Sequence, residues 1–172
     1  MSTKRSSAAE RQPGVAWLTA DEERAWRAYR RMTTEVQAHI GQDLADLGLS
    51  EADYEVLSTL SEHADATRTL REQAAKMQWS RSRLSRHATR MEARGLIRRA
   101  PDPDDGRGCL LTLTEEGLAA LQDAAPAHLA SVRHHFIDLL NAEDLAALER
   151  VADKVSAAGG ERPGSPEAGA DA

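Results

Sequence analysis

Five arginines, at positions 81, 83, 86, 90 and 94, are interleaved with Ser82, Ser85 and Thr89. Arginine donates two parallel hydrogen bonds to a guanine edge, and serine or threonine reaches bases or phosphates, so this set suits a duplex major groove. Ser80 precedes the run as a helix cap, and Gly95 follows it where a helix normally stops. At 100° per residue, Leu84, Ala88 and Met91 share one face, the side that would pack inward. Ser82, Arg86, Thr89 and Arg90 share the opposite face, flanked by Arg81, Arg83 and Ser85. Glu92 is the one acid among them, whereas a solvated structural helix usually interleaves both signs. The competing reading is a charged surface helix and nothing more.

A second basic position follows. Asp102, Asp104 and Asp105 lead to Arg107, which stands between two glycines in PDPDDGRG. Three acids would repel phosphate if they all faced it. The reading that works chemically has an acid, Asp105, holding the loop so that Arg107 points into a narrow minor groove. An exposed turn with an unrelated arginine is the alternative.

Charge and composition bound the rest. The net charge is -6, yet residues 68–107 hold eleven basic and five acidic residues, while the remainder holds eleven basic and twenty-three acidic. A basic island in an acidic chain suits a polyanion. With 172 residues the chain makes one domain with tails. No apolar run is long enough to span a membrane, and no apolar stretch follows the basic residues of the N-terminus, so a cytoplasmic protein is expected. Cys109 is the single cysteine, which excludes an intrachain disulfide; a buried inert thiol is expected there. Six aromatic residues are too few for an all-β core built on aromatic pairs. His128, His134 and His135 share a helix, but spacings of six and one lack the i, i+4 pairing that sets two ligands on adjoining turns of one face, so no metal site is expected. A Gly-rich phosphate loop, G-x-S-x-G and H-E-x-x-H are all lacking, and an enzyme reading finds no support.

Elements must position those arginines. Residues 1–16 and 159–172 read as disordered tails around a single unit, 17–158. Thr19 with Glu22, Ser50 with Asp53, and Thr69 with Glu72 have capping-box spacing and open three helices. Ser80 opens the fourth. Leu96–Ala100 and Cys109–Thr114 read as a hairpin around the Asp-rich turn. Thr114 opens a fifth helix extending to Leu140, which Pro126 should kink or break, and Asn141 opens the last. The order is four helices, a hairpin, then two helices: a mainly α chain built around a winged helix-turn-helix.

Three segments carry a resemblance: SRSRLSRHATRMEARGLIRR (80–99), DPDDGR (102–107) and LTLTEEG (111–117). Together they resemble the MarR family of bacterial transcription regulators, and with the flanking helices the resemblance extends from Thr19 to Ala158. It implies a homodimer joined through helices at about 19–47 and 115–157, with a DNA-binding winged helix at about 50–114. It implies sequence-specific binding of double-stranded DNA at a pseudo-palindromic operator, as a repressor. Arg81, Ser82, Arg83, Ser85, Arg86 and Arg90 would serve the major groove, and Asp105 and Arg107 the wing. It implies no cofactor, but a small anionic or phenolic effector in a crevice that Trp26, Tyr29, His39 and Tyr54 could border. The N-terminal cysteine with which some members sense peroxides is missing. A winged-helix protein-interaction module without DNA binding is the alternative function.

Overall fold

Six helices begin where the sequence supplies a side-chain cap. In the computed structural model, which describes residues 16–106 and 108–159, α1 (Ala20–Ala45) follows Thr19, α2 (Glu51–Ser61) follows Ser50 and α3 (Leu70–Lys76) follows Thr69. Each has a complete capping box, closed by Glu22, Asp53 and Glu72 respectively. The Ser80 hydroxyl accepts from the Arg83 N–H at the start of α4 (Arg81–Ala93). Thr114 does the same for Gly117 at the start of α5 (Glu115–His135), and Asn141 for Glu143 and Asp144 at the start of α6 (Ala142–Gly159).

Three short strands, β1 (Thr67–Thr69), β2 (Ile97–Pro101) and β3 (Cys109–Leu113), form an antiparallel sheet in the order β1-β3-β2. The expected hairpin is β2 and β3, with Ile97 opposite Leu113 and Pro101 opposite Cys109. β1 was not expected. It pairs Thr67 with Thr112 and Thr69 with Leu110, so the wing is anchored to the residues that enter α3.

Two expectations for the fifth helix need correction. α5 runs unbroken through Pro126. The proline removes one hydrogen bond, to the Gln122 carbonyl, and both residues are exposed, so water can replace it while the buried side, Leu121, Ala124 and Ser131, stays packed. The helix also stops sooner than expected: Phe136 leaves helical geometry (φ -142°, ψ -67°) and a 3₁₀ turn spans Ile137–Leu139. The tails expected at 1–16 and 159–172 lie almost wholly outside the described residues; Gly159 closes α6.

The core lies between α1, α2, the α3–α4 pair and the sheet. Leu44, Val56, Leu57, Leu60, Leu84, Ala88, Met91 and Leu111 are fully enclosed. α1 and α5 pack along each other, whereas α6 has no buried residue. Gly117 marks the closest approach: a Cβ there would overlap the Leu96 carbonyl oxygen. Beside it, the Thr114 hydroxyl donates to the Gly95 carbonyl at 2.6 Å. Among the described residues no helix is long and apolar enough to cross a membrane.

Candidate nucleic-acid interface

α3 and α4 are joined by the turn Met77–Ser80, in which Gln78 takes a left-handed conformation (φ 54°) and the Trp79 N–H closes back on the Ala74 carbonyl. This tight turn fixes α4 on the surface. Its inner face is Leu84, His87, Ala88 and Met91, one every three or four residues, all buried. Its outer face presents Arg81, Ser82, Arg83, Arg86 and Arg90, all exposed, with Ser85 half-buried. At the far end Gly95 (φ 75°) ends the helix: its N–H bonds to the Glu92 carbonyl and the Leu96 N–H to the Met91 carbonyl, a Schellman arrangement.

Several side chains tie down this surface. Glu92 accepts from the Arg99 N–H at 2.9 Å, and the Arg99 guanidinium donates to the Thr89 hydroxyl at 2.8 Å, so strand β2 is clamped to α4. Thr89 is thereby committed, and Glu92 pairs with the wing strand instead of neutralising its own helix. The Arg83 guanidinium lies 3.6 Å over the Trp79 ring, a cation–π contact. Among the described residues, none of Arg81, Arg83, Arg86 and Arg90 is in an ion pair. Arg83, Arg86, Arg90 and His87, with Trp79, Ser50 and Ala52, line a cleft of about 380 Å³ between α4 and the start of α2.

Beneath the arginines sits a buried carboxylate. Asp53, 3% exposed, accepts from the Ser50 N–H at 2.9 Å and from Arg94 at 2.7 Å. The second Arg94 nitrogen donates to the Gly48 carbonyl at 2.5 Å, which joins the end of α4 to the α1–α2 turn. His87 Nε2 lies 3.0 Å from the other Asp53 oxygen, off the line of an ideal hydrogen bond. Burial pushes the Asp53 carboxyl up, but the bonds from Ser50 and Arg94 outweigh it and leave it below the usual aspartate value. Burial lowers His87; Asp53 opposes that, and the neighbouring Arg90 and Arg83 charges add to it. Burial likewise lowers His128.

These directions fix the pH response. A histidine held neutral in the fold takes up its proton more readily in the unfolded chain, which then binds more protons, so stability falls as the pH falls. Loss should begin as the pH drops below about 6.5 and should be complete once it passes the lowered native values of His87 and His128. Asp53 adds a further loss below about 3.8 as its carboxylate is protonated. Melting temperature measured from pH ~7.5 to ~5.5 should therefore decline, and less so in His128→Asn. A flat profile would contradict neutral burial of both imidazoles.

In the wing, the Asp102 carboxylate accepts from the Asp104 N–H at 3.0 Å. Asp102 and Gly108 also close the strands, with the Asp102 N–H on the Gly108 carbonyl, and Asp105 contributes its main-chain carbonyl to the Gly108 N–H. Arg107 lies outside the described residues.

The four residues expected to border an effector crevice are not brought together in this chain. Trp26 and Tyr29, both about half exposed, stack at 5.6 Å beside Trp17 and Leu18. His39 stacks on His135 at 4.3 Å in a separate cleft with Met32 and Val36. Tyr54 lies against His128 at 4.1 Å in a third, with Glu51 and Thr59. Among the described residues no three potential ligands gather at a metal site. Cys109 is half-buried and its thiol faces the Leu110 carbonyl at 3.5 Å.

Sequence reasoning missed His87, Arg94 and Arg99 as working residues, and took Asp53 for a cap alone. His87 had a signal: it falls with Leu84 and Met91 on the inward helical face. The others act across the fold, and no local spacing announces them.

The comparisons with known proteins agree with this geometry. A family model described as MarR family matches residues 47–108, from the α1–α2 turn into the wing. An HTH-type transcriptional regulator of Bacillus cereus is 31% identical over 130 residues, 76% of this chain and 85% of that protein. AbsC, a MarR family transcriptional regulator from Streptomyces coelicolor, is 39% identical over 83% of this chain and 96% of its own, with a TM-score of 0.77. The chain belongs to the MarR family. Sco3205, a second MarR family transcriptional regulator from S. coelicolor, was solved in complex with DNA; it is 33% identical, covers 84% of this chain and 91% of its own, and has a TM-score of 0.78. This MarR-family chain is thus a transcriptional regulator, and the span matched by the family model contains both the arginine face of α4 and the Asp53 cluster beneath it.

Proposed function

We propose that this regulator binds double-stranded DNA as a homodimer, reading a pseudo-palindromic operator and acting as a repressor by occupying promoter DNA. The observation that carries this reading is the outer face of α4: Arg81, Arg83, Arg86 and Arg90 project outward with no carboxylate partner among the described residues. Such a face left in water gains little, whereas in a major groove each arginine finds phosphate or guanine. Ser82 and Ser85 fit base or phosphate contacts beside them, and Arg107 with Asp105 would serve the adjacent minor groove. The DNA complex of Sco3205 supports the reading by likeness.

Dimerisation follows from surface left unburied. Trp26 and Tyr29 on α1, Leu129 on α5, and Leu145, Leu148, Val151 and Val155 on α6 are all exposed. An amphipathic helix such as α6, apolar along one stripe and with no buried residue among those described, finds its stability in a partner. Helices at about 19–47 and 115–157 would form the dimer region and residues 50–114 the DNA-binding part. A small anionic or phenolic effector would act by changing the separation of the two α4 helices. No cofactor and no catalysis enter this reading, and its place of action is the cytoplasm.

Selection from randomised duplex DNA at about 150 mM salt tests it. Enrichment of a pseudo-palindrome is expected, with half-site centres about one helical turn apart. Affinity for the recovered duplex should fall with salt at a log–log slope of about -4 to -7, from roughly five to eight neutralised phosphates per dimer. Recovery of no sequence would favour a winged-helix module that contacts another protein.

A further inference from the structure

We propose that His87 is the positioning residue of the recognition helix: held against Asp53, it fixes the Arg90 guanidinium directly and supports the Trp79 ring on which Arg83 rests. This rests on the reading of Arg90 and Arg83 as DNA contacts.

His87 occupies an inward position among Leu84, Ala88 and Met91, where an aliphatic side chain would serve packing equally well. Instead a polar ring is enclosed there, 8% exposed. Its two nitrogens face different partners. Nε2 lies 3.0 Å from the Asp53 carboxylate, which is itself tied to Ser50 and Arg94. Nδ1 lies 2.9 Å from an Arg90 Nη. The guanidinium can only donate, so the imidazole must accept at Nδ1, which places its proton on Nε2 toward the carboxylate. A neutral ring suits both neighbours, accepting from Arg90 and turning its N–H toward the nearby carboxylate, and the lowered proton affinity of His87 agrees with that state.

The groups facing the ring are Asp53 from α2, Trp79 from the turn, and Arg83 and Arg90 from its own helix. Trp79 meets the imidazole edge-on at 5.7 Å and carries the Arg83 guanidinium on its face. Arg90 is also bonded to the Arg86 carbonyl at 3.3 Å. Two of the four outward arginines are therefore oriented from below before any DNA arrives. A long arginine loses conformational freedom on binding, and an arginine already held loses less.

The test uses the full chain and the tightest duplex recovered from a randomised pool. His87→Leu removes the acceptor and should weaken binding about 10-fold, as should Arg90→Ala. The double variant should bind within about 3-fold of Arg90→Ala alone, since His87 acts mainly through Arg90 and a leucine at 87 still packs beneath the Trp79 ring. His87→Asn places an amide oxygen near the Nδ1 position and should restore binding to within about 3-fold of wild type. Additive losses, or His87→Asn no better than His87→Leu, would overturn the proposal while leaving Arg90 as a DNA contact. Should Arg90→Ala bind like wild type, the reading of Arg90 itself falls, and the proposal with it. If His87→Leu lacks a cooperative melting transition, His87→Gln decides: its amide reaches toward Asp53 and leaves Arg90 without an acceptor, so it should bind more weakly than His87→Asn, and equal or tighter binding would overturn the proposal.

Discussion

Arg86→Glu should abolish sequence-specific duplex binding, lowering affinity by about 1000-fold, while the protein stays folded and dimeric. Arg86 is exposed midway along the outer face of α4, in the cleft it shares with Arg83 and Arg90, and among the described residues it is in no ion pair. Its replacement breaks nothing that holds the fold, so the stability change should lie within about 0.5 kcal/mol. Binding is different. Losing one bidentate base contact costs about 1–3 kcal/mol. A carboxylate set against phosphate adds repulsion, and the two-fold axis of a dimer doubles the penalty, giving about 4 kcal/mol or more. Fluorescence anisotropy with the selected duplex at constant salt, alongside size exclusion and thermal melting, separates the terms. Affinity within about 3-fold of wild type would remove Arg86 from the DNA surface.

Asp53→Ala should cost about 3 kcal/mol of folding stability, the largest single loss expected from one polar side chain here. About 1 kcal/mol comes from the capping box with Ser50 at the start of α2. About 2 kcal/mol comes from breaking a buried carboxylate away from Arg94 and His87. The full penalty for orphaning a buried ion is larger, but the Arg94 side chain is 43% exposed and can rehydrate. For a chain of this size the melting temperature should drop by about 10 °C. Asp53→Asn keeps much of the cap and should lose roughly half as much. Urea unfolding with an unchanged m-value is the check, and a loss under about 1 kcal/mol would mean that Asp53 is a cap and nothing more.

How much of this was legible depends on how local each signal is. All six helix starts could be read because a hydroxyl or amide followed three residues later by a carboxylate or a free N–H is complete within one turn. The arginine face of α4 followed from helical periodicity alone. β1 could not be read: Thr67–Thr69 is three residues long, and it is a strand because β3 lies beside it, not because of its own composition. Pro126 misled because its cost depends on which side of α5 it faces, and that is set by packing. Asp53 and Arg94 come together from different helices, so the sequence shows a cap and a helix end where the fold makes an ion pair. The placing of the residues expected at an effector crevice is likewise set by the fold. Trp26, His39 and Tyr54 each had a suitable side chain, but their helices direct them into separate clefts.

The contact between Gly117 and Leu96 has a mechanical consequence. With no Cβ between them, and with Thr114 bonded to the Gly95 carbonyl, the first turn of α5 is welded to the spot where α4 ends. A tilt of α5 that kept this contact would swing α4 about its own C-terminus. The thirteen residues of α4 make an arm about 20 Å long, with Arg81 and Arg83 at the end far from this contact. A tilt of about 5° passed on in this way would carry those arginines nearly 2 Å, about the distance between a formed hydrogen bond and a lost one.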